Sequence, residues 1–283
     1  MDVAIVVLAW EDIDQTQQCV RSMPAEAEVI VVDNGSSAPI REAIRQLCQQ
    51  VGAKYVQTGS NLGYAKGMNA GAQHCTRGTI ILANNDVIVH GGTVERLLRE
   101  LENPAVGVAF PKVVDLQGNE ETAAGRFLSV RIGIGHAIGL SAVIPRLRIV
   151  ATPEGADWLT GPFVAIRRET FAAIGGVDES SEFYSEDVRL CWAVHKLGLR
   201  VAYVPDAVIN HLGDGSSKRR WSADEISRRQ TREFIRANRE LGGRRGWVAS
   251  AAYATGVVWR AGVTRNAARR ATARGAIEGM RSG

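Results

Sequence analysis

The sequence predicts an α/β fold, a mostly parallel, Rossmann-like β-sheet with helices on both faces. In the first half of the chain, short apolar runs bounded by polar turns alternate with stretches of helical periodicity. Such runs are typical of parallel strands buried on both faces, and strand–helix alternation is typical of a doubly wound domain. At 283 residues and 45% hydrophobic content, the chain can bury a large core.

The predicted elements follow one another in a regular order. Predicted strands cover residues 3–8, 29–32, 53–56 and 79–82, and predicted helices cover residues 12–23, 40–51 and 64–75. Residues 116–156 are glycine-rich and weakly periodic, which predicts a long irregular excursion. After it we predict an ordered segment at 158–167, a helix at 185–197, a strand at 200–204, and helical structure from residue 221 onwards.

Charge divides the chain into two parts. Residues 218–283 carry sixteen Lys and Arg against five Asp and Glu, a net charge of +11, whereas residues 1–217 have a net charge of −7. This asymmetry predicts an acidic domain at residues 1–217 and a basic helical C-terminal extension at residues 218–283.

The basic extension has two interpretations. Its mildly apolar stretch at residues 246–258 is flanked by arginines, which suits a helix lying on an anionic membrane surface. A solvated extension or an element that forms a homodimer is the alternative. Nucleic acid is not an expected partner, because no recognition motif accompanies the charge.

Cysteine usage and the N-terminus exclude several classes of protein. The four cysteines are far apart and form no CxxC pair, which excludes a disulfide framework or a structural zinc site and predicts buried thiols in a reducing cytoplasm. The apolar start lacks a basic leader, which indicates a buried strand rather than a signal peptide. We expect no membrane-spanning helix, because no apolar run reaches ~18 residues; the expected location is the cytoplasm or the inner face of its membrane.

Polar residues follow the predicted strands, where doubly wound sheets bind their ligands. Asp86 follows an apolar strand and is flanked by Asn84 and Asn85, so it can hold a Mg²⁺ or Mn²⁺ ion that also binds diphosphate oxygens. Asp33 ends another strand and can accept a hydrogen bond from a pyrimidine or ribose, with Gly35 relaxing the turn. A simple turn is the alternative at both places.

Residues 59–71 are a third candidate segment. Three glycines at a spacing of four, Gly63, Gly67 and Gly71, allow either close approach of the backbone to a ligand or close packing of a helix on the sheet. The pattern is not G-x-G-x-x-G, and no such pattern follows the first strand. A nicotinamide-dependent dehydrogenase is therefore disfavoured.

Two candidates lie in the second half. Glu186 and Asp187 follow Ser185, which resembles an N-cap, so they fall in a first helical turn. There they provide a general base on a rigid helix start, or they only complement the helix dipole. His211 ends a strand-like run and becomes a metal ligand if a metal-binding carboxylate lies nearby.

The order of these motifs resembles the family-two glycosyltransferases of the GT-A fold, and among them the rhamnosyltransferase branch that assembles bacterial surface glycans. The resemblance covers residues 3–217. It is carried by VDNGS at 32–36, NLGYA at 61–65, LANND at 82–86, GPFVAIRR at 161–168, EDVRLC at 186–191 and Asn210-His211.

The resemblance implies a metal-dependent, inverting transfer of a sugar, rhamnose for example, from a dTDP- or UDP-linked donor to a glycan, a lipid-linked or a small-molecule acceptor. Asp187 would be the base with Glu186 as its partner, and Asp86 and His211 would bind Mg²⁺ or Mn²⁺. Trp158 and Gly161 would lie near the donor sugar and the acceptor. The implied donor-binding residues are Ala9, Glu11, Asp33, Gly35, Asn61, Gly63, Lys66, Asn69, Asn84 and Asn85.

Two alternatives come from other classes. A sugar-nucleotide nucleotidyltransferase would need a basic, glycine-rich phosphate loop after the first strand, where this chain has Trp10-Glu11-Asp12. A non-catalytic glycan-binding or scaffold protein on a degenerate transferase fold would not need both Asp86 and Asp187, which are present here.

Overall fold

The computed structural model describes residues 1–181, 185–213, 221–263 and 266–282. The chain forms two compact units: a sheet unit of residues 1–123, 159–180 and 193–213, and a helical unit of residues 124–158, 181–192 and 214–283. The boundary expected after residue 217 lies outside the described residues. The helical unit contains the basic extension and, in addition, two earlier segments of the chain.

The predicted strands and helices occur in the predicted order, and the structure adds three elements between residues 87 and 114 that were not predicted. The strands are β1 (Val3–Ala9), β2 (Glu28–Asp33), β3 (Lys54–Gln57), β4 (Thr79–Asn84), β5 (Val87–Val89), β6 (Val106–Val114), β7 (Ala123–Gly125), β8 (Trp158–Thr160), β9 (Phe163–Arg167) and β10 (Arg200–His211). The helices are α1 (Ile13–Ser22), α2 (Ala38–Val51), α3 (Tyr64–Ala72), α4 (Thr93–Leu101), α5 (Val130–Ala137), α6 (Arg168–Ala173), α7 (Glu186–Lys196), α8 (Ala223–Leu241), α9 (Gly243–Val263) and α10 (Ala267–Arg281).

The sheet unit is built on a mostly parallel sheet with the strand order β3-β2-β1-β4-β9-β6-β10-β5. Strands β3, β2, β1 and β4 run parallel to one another, as do β6 and β10. Strand β9 is antiparallel to both of its neighbours, and β5 is antiparallel to β10. The carboxyl ends of β1, β2 and β4 therefore meet at one edge of the sheet.

Helices cover both faces of this sheet, as predicted. On one face, alternate β1 residues such as Ile5 and Val7 pack in a buried cluster with side chains of α1, α2 and α4. On the other face lies α3, where a Cβ on Gly71 would overlap the side chains of Val6 and Val32. Each fully buried aliphatic side chain contributes ~1.5–3 kcal/mol through removal of its apolar surface from water.

The helical unit contains a helix that the sequence did not predict. Residues 116–156 were expected to be irregular, but α5 forms at Val130–Ala137, and the Ser129 side chain caps it by accepting from Ile132 N. Glycine lowers helix propensity, yet these glycines permit close packing. A Cβ on Gly133 would overlap Ala249 O, and one on Gly135 would lie 2.7 Å from Leu147.

The basic extension is helical, as predicted, and forms α8, α9 and α10. These helices share an apolar cluster that includes Ile235, Ala254 and Ala276. Among the helices of the described residues, none has the length and apolarity needed to cross a bilayer. All four cysteines are free and buried, which confirms that they pack as apolar side chains.

Candidate functional site

Hydrogen bonds join the carboxyl ends of β1 and β2. Asn34 N donates to Ala9 O at 2.9 Å, and Glu11 N donates to Ser36 Oγ at 3.1 Å. The Glu11 carboxylate accepts from Ser37 N at 2.6 Å and from Ser37 Oγ at 2.8 Å. Glu11 adopts a left-handed φ of 54°, an uncommon conformation for a residue other than glycine. Such conformations cluster at functional sites.

Asp33 is fully buried, and both of its carboxylate oxygens have partners. Oδ1 accepts from Ser36 N at 2.9 Å, and Oδ2 accepts from Tyr55 Oη at 2.9 Å and lies 3.7 Å from Arg41 Nε. The carboxylate therefore shapes the turn after β2. A direct contact with a nucleobase or ribose stays a prediction, and it would require a movement that exposes this side chain.

Asn34 links this turn to the loop before α3. Its Nδ2 donates to Asn61 Oδ1 at 3.3 Å and to Gly63 O at 3.2 Å. Its Oδ1 accepts from Leu62 N at 3.0 Å. The exposed Asn61 side chain also accepts from Gly63 N at 3.0 Å. This network brings together the predicted donor-binding residues of two neighbouring strand ends.

At Gly35 the turn after β2 closely approaches the backbone of the loop before α3. This glycine has a φ of 79°, and an added Cβ would lie 2.5 Å from Asn61 N and closer still to Ser60 C. We expect Gly35→Ala to lower the free energy of unfolding by more than the ~1–2 kcal/mol that a left-handed alanine costs. Gly59 is the matched control, because it has a φ of 80° and no atom within 4 Å of an added Cβ. Equal losses for Gly35→Ala and Gly59→Ala in chemical denaturation would contradict the close approach.

Close packing of a helix on the sheet, one of the two interpretations of the glycine spacing, applies to Gly67 and Gly71 but not to Gly63, where an added Cβ would have no atom within 4 Å. Gly67 and Gly71 pack on the sheet, where a Cβ would meet Leu8 at 2.5 Å or overlap Val6. Lys66 is exposed and stays a candidate for a phosphate contact. The Asn69 amide instead bonds to the backbone of Val177, with Oδ1 accepting from N at 2.9 Å and Nδ2 donating to O at 2.8 Å.

The three residues that end β4 have different surroundings. Asn84 N donates to Pro162 O at 2.8 Å, and Asn85 Nδ2 donates to Thr16 Oγ1 at 2.9 Å. The Asp86 residue is 6% exposed, and its Oδ1 is buried with no hydrogen-bond partner in the described part of the chain. A buried carboxylate oxygen without a partner is costly unless a cation binds it.

His211 lies beside Asp86, as the sequence-based hypothesis requires. Its Nε2 is 3.3 Å from Asp86 Oδ2, and its Nδ1 is 2.9 Å from Glu121 Oε2. Leu212 N donates to Asp86 O at 2.8 Å, which fixes the end of β10 against the end of β4. The hydrogen bond with Asp86, with a further contribution from Glu121, raises the pKa of His211 to about 9.

Asp86 and His211 fit a divalent cation whose remaining coordination positions are filled by a bound substrate and water. Asp86 offers an oxygen that has no partner among the described residues, and His211 would release its proton to bind a metal. Among the described residues, no set of three or more His, Cys, Asp or Glu side chains is arranged as a metal site. The remaining ligands of a Mg²⁺ or Mn²⁺ ion would then be diphosphate and water oxygens.

Gly161 and Trp158 lie in different units. Gly161 belongs to the sheet unit, where an added Cβ would be 3.7 Å from Val113, an ordinary contact. Trp158 belongs to the helical unit, where its ring is 6.1 Å from that of Phe234. The Trp158 indole Nε1 is buried without a hydrogen-bond partner in the described residues, so it is available to donate to a ligand.

Glu186 and Asp187 begin α7 in the helical unit, and both are half-buried. Ser185 before them has a φ of 74° rather than the extended conformation usual for an N-cap. Burial raises the pKa of Glu186 to about 7, the charge of Glu233 adds to the increase, and Arg189 opposes it. Arg189 is itself held by Glu240 at 2.5 Å. The relation of this acidic pair to Asp86 stays a prediction.

The raised pKa of Glu186 predicts a pH-dependent stability. The unfolded chain loses this proton near pH 4.5 and the folded chain near pH 7, so the folded state loses stability as pH rises between these values. We expect Glu186→Gln to remove this loss of stability, so that the melting temperature of the variant increases relative to that of the native protein as pH rises. A constant difference in melting temperature between the two proteins from acidic to neutral pH would contradict the raised pKa.

The residues that the sequence-based set missed include Tyr55, Glu121 and Glu233. Strands β2 and β3 pair in parallel with Val31 opposite Tyr55, so Tyr55 lies on the strand next to the one that ends at Asp33. Knowledge of the strand order would have identified Tyr55 as a neighbour of Asp33. Glu121 lies at the start of the expected irregular excursion, and Glu233 lies in the basic extension. For these two, local spacing carried no signal.

Comparison with known proteins gives a consistent result. A family model described as Glycosyl transferase family 2 matches residues 4–175. A pre-mycofactocin glycosyltransferase of Mycobacterium tuberculosis is 26% identical over 210 residues, which cover 74% of this chain and 42% of the relative. An N-acetylglucosaminyl-diphospho-decaprenol L-rhamnosyltransferase of the same organism is 30% identical over 204 residues, which cover 65% of this chain and 66% of the relative. The chain thus spans less than half the length of the first of these relatives.

Solved structures share the fold at low sequence identity. A mannosyltransferase from Pyrobaculum calidifontis, in complex with GDP-Man and Mn²⁺, has a TM-score of 0.63 at 15% identity and covers 98% of this chain and 85% of its own. GalNAc-T7, with UDP, GalNAc and Mn²⁺, has a TM-score of 0.60 at 16% identity and covers 83% of this chain and 48% of its own.

Proposed function

Because the chain belongs to glycosyl transferase family 2 and has the GT-A fold, we propose that it transfers a sugar from a nucleotide diphosphate to an acceptor hydroxyl, with inversion at the anomeric carbon. The observation that carries this proposal is Asp86 at the carboxyl end of β4, with a buried oxygen that has no partner in the described residues and with His211 beside it. Ligands of such sheets bind at this edge.

Asp86 and His211 would hold a Mg²⁺ or Mn²⁺ ion. When bound, a divalent cation at this place neutralises the charge that develops on the departing nucleotide diphosphate. Glu121 orients the His211 ring through Nδ1, as carboxylates commonly do by accepting from the other ring nitrogen of a metal-binding imidazole. The Mn²⁺ present in two structures of the same fold supports this assignment.

Asp187 would act as the general base. It would take the proton from the acceptor hydroxyl as the acceptor oxygen forms its bond to the anomeric carbon and the bond to the diphosphate oxygen breaks. The start of α7 favours the ionised carboxylate that this step requires. Glu186 would assist as its partner, and Trp158 and Gly161 would contact the donor sugar and the acceptor.

The donor is best tested directly. We propose a dTDP- or UDP-linked sugar, with rhamnose first among the candidates because one relative is a rhamnosyltransferase, and a glycan, lipid-linked or small-molecule acceptor. A panel of nucleotide sugars with Mn²⁺ should contain one that raises the melting temperature in proportion to the logarithm of its concentration. Hydrolysis or transfer of that donor should follow. A panel without any stabilising donor would argue for the non-catalytic alternative.

The nucleotidyltransferase alternative is disfavoured by the end of β1. Glu11 places a carboxylate there and engages it with Ser37. A triphosphate would meet this negative charge rather than a basic loop. Formation of a nucleotide sugar from a nucleoside triphosphate and a sugar phosphate would overturn this exclusion.

We also propose that the helical unit binds an anionic membrane surface through α9. Trp247, Val248, Val258 and Trp259 are between 36% and 62% exposed, and at 3.6 residues per turn they share about a third of the helix circumference. Arg244 and Arg245 precede them, and α9 contains no acidic residue. Aromatic and basic side chains in this arrangement are typical of interfacial helices.

Substitution tests this surface better than truncation, because α8 and α9 supply buried side chains to the helical unit. We expect Trp247→Ser with Trp259→Ser to weaken sedimentation with anionic vesicles, and binding of the native chain to fall as salt rises. Leu116→Ser is the control, since Leu116 is 61% exposed in the other unit. A salt-independent dimer that does not bind vesicles would support the homodimer interpretation instead.

A further inference from the structure

A cavity of about 420 Å³ lies within the helical unit, where α5, the loop after it and α9 meet. Its lining includes two arginines, Arg148 and Arg260, together with His136, Tyr253 and Val150, and the described lining residues include no Asp or Glu. None of the predicted donor, metal or catalytic residues lies in it. The sugar-transfer proposal therefore does not explain this cavity.

Neutral groups accept hydrogen bonds from both arginines. Arg148 donates through Nε to Ser141 O at 3.0 Å and through Nη2 to Ala142 O at 2.7 Å. Arg260 donates through Nη1 to His136 O at 2.6 Å and through Nη2 to His136 Nδ1. Burial lowers the pKa of His136 to about 4, so its ring is neutral and accepts this hydrogen bond.

The surrounding sequence makes the cavity electropositive. No acidic residue occurs at positions 122–153 or 241–277, the segments that supply its lining, whereas these segments contain eleven arginines. An anion that enters the cavity thus meets two lining arginines within two segments of the chain that carry only positive charge. The planar guanidinium groups of Arg148 and Arg260 match the geometry of phosphate oxygens.

Several apolar side chains next to this basic cavity are exposed to solvent. Ile138, Val143 and Val150 are 65%, 72% and 75% exposed, and each lines the cavity or adjoins a lining residue in the chain. An exposed apolar patch next to a basic pocket is unusual for a surface that meets only water. It suits a ligand that carries a phosphate on an apolar anchor.

We propose that this cavity binds the phosphate group of an anionic membrane lipid, while Ile138, Val143 and Val150 contact the acyl region. The proposal rests on the proposed membrane binding by α9 and adds a specific headgroup site to it. The apolar rim favours a phosphate carried by a lipid over free phosphate, which would gain nothing from these side chains.

The test compares two vesicle compositions with the full chain. Phosphatidylcholine vesicles with phosphatidic acid present a phosphomonoester, and vesicles with phosphatidylglycerol, matched in zeta potential, present only a phosphodiester. We expect tighter binding to phosphatidic acid. Arg148→Gln should weaken that binding by about tenfold, the effect of losing one charged hydrogen bond, and should reduce binding to phosphatidylglycerol much less.

Arg146→Gln is the matched control, because Arg146 is exposed in the same loop, carries the same charge and does not line the cavity. It should lower binding to both vesicles equally and slightly. Glycerol 3-phosphate should release the native chain from phosphatidic acid vesicles, a measurement that needs no variant. Equal binding to the two lipids, or equal effects of the two substitutions in folded proteins, would overturn the headgroup site and leave membrane binding intact. Binding to neither lipid would overturn both proposals.

Discussion

Asp187→Asn should lower the rate of sugar transfer by ~10² to 10⁴-fold, the usual contribution of a general base. Asparagine keeps the size and most of the hydrogen bonding of the side chain, but it cannot accept a proton at neutral pH. Donor affinity should hardly change, because the proposed nucleotide contacts lie on the strand ends of the sheet unit. A rate measurement and a donor titration on the same sample test both statements.

A melting curve separates this result from a structural one. If Asp187 only complements the dipole of α7, its replacement should cost ~1 kcal/mol or less of stability and leave transfer intact. Glu186→Gln is the natural comparison, because the pKa of Glu186 is raised to about 7 and a base works best near the operating pH. A large loss of transfer in Glu186→Gln together with near-native transfer in Asp187→Asn would move the base to Glu186.

Asp86→Ala should abolish the stimulation of donor turnover by Mn²⁺ or Mg²⁺, because it removes the buried carboxylate proposed to bind the cation. The folded state should tolerate this change, since Oδ1 has no hydrogen bond in the described residues and His211 keeps Glu121 as a partner. Titration calorimetry with Mn²⁺ and nucleotide should show the loss of metal binding independently of turnover.

Asn85→Ala is the matched control for Asp86→Ala. Its side chain donates to Thr16, so the substitution should cost ~1 kcal/mol of stability and keep the metal response. His211→Ala should weaken metal binding without the complete loss expected of Asp86→Ala. Full turnover by demetallated protein in EDTA would contradict the metal assignments of both Asp86 and His211.

The sequence by itself predicted the strands and helices of the first 82 residues in their correct order, but it did not predict β5, α4 and β6. Apolar runs such as residues 3–8 and 79–82 became β1 and β4 because burial on both faces of a parallel strand leaves a continuous local pattern. The sequence also identified Asp86 and His211 as candidate metal ligands, because each lies at the end of an apolar, strand-like run. Their proximity in the structure agrees with the hypothesis of a shared cation.

Only the tertiary structure decided which distant residues surround these side chains. Glu121 contacts His211 across 90 positions of sequence, and burial, with a further contribution from the charge of Glu233 on a different helix, raises the pKa of Glu186. Likewise, α5 forms despite its glycines because α9 and Leu147 pack against them. Local periodicity reports which face of an element is buried, but not which distant segment covers it. Burial, ion pairing and pKa values depend on that covering segment, so they became visible only once the chain was folded.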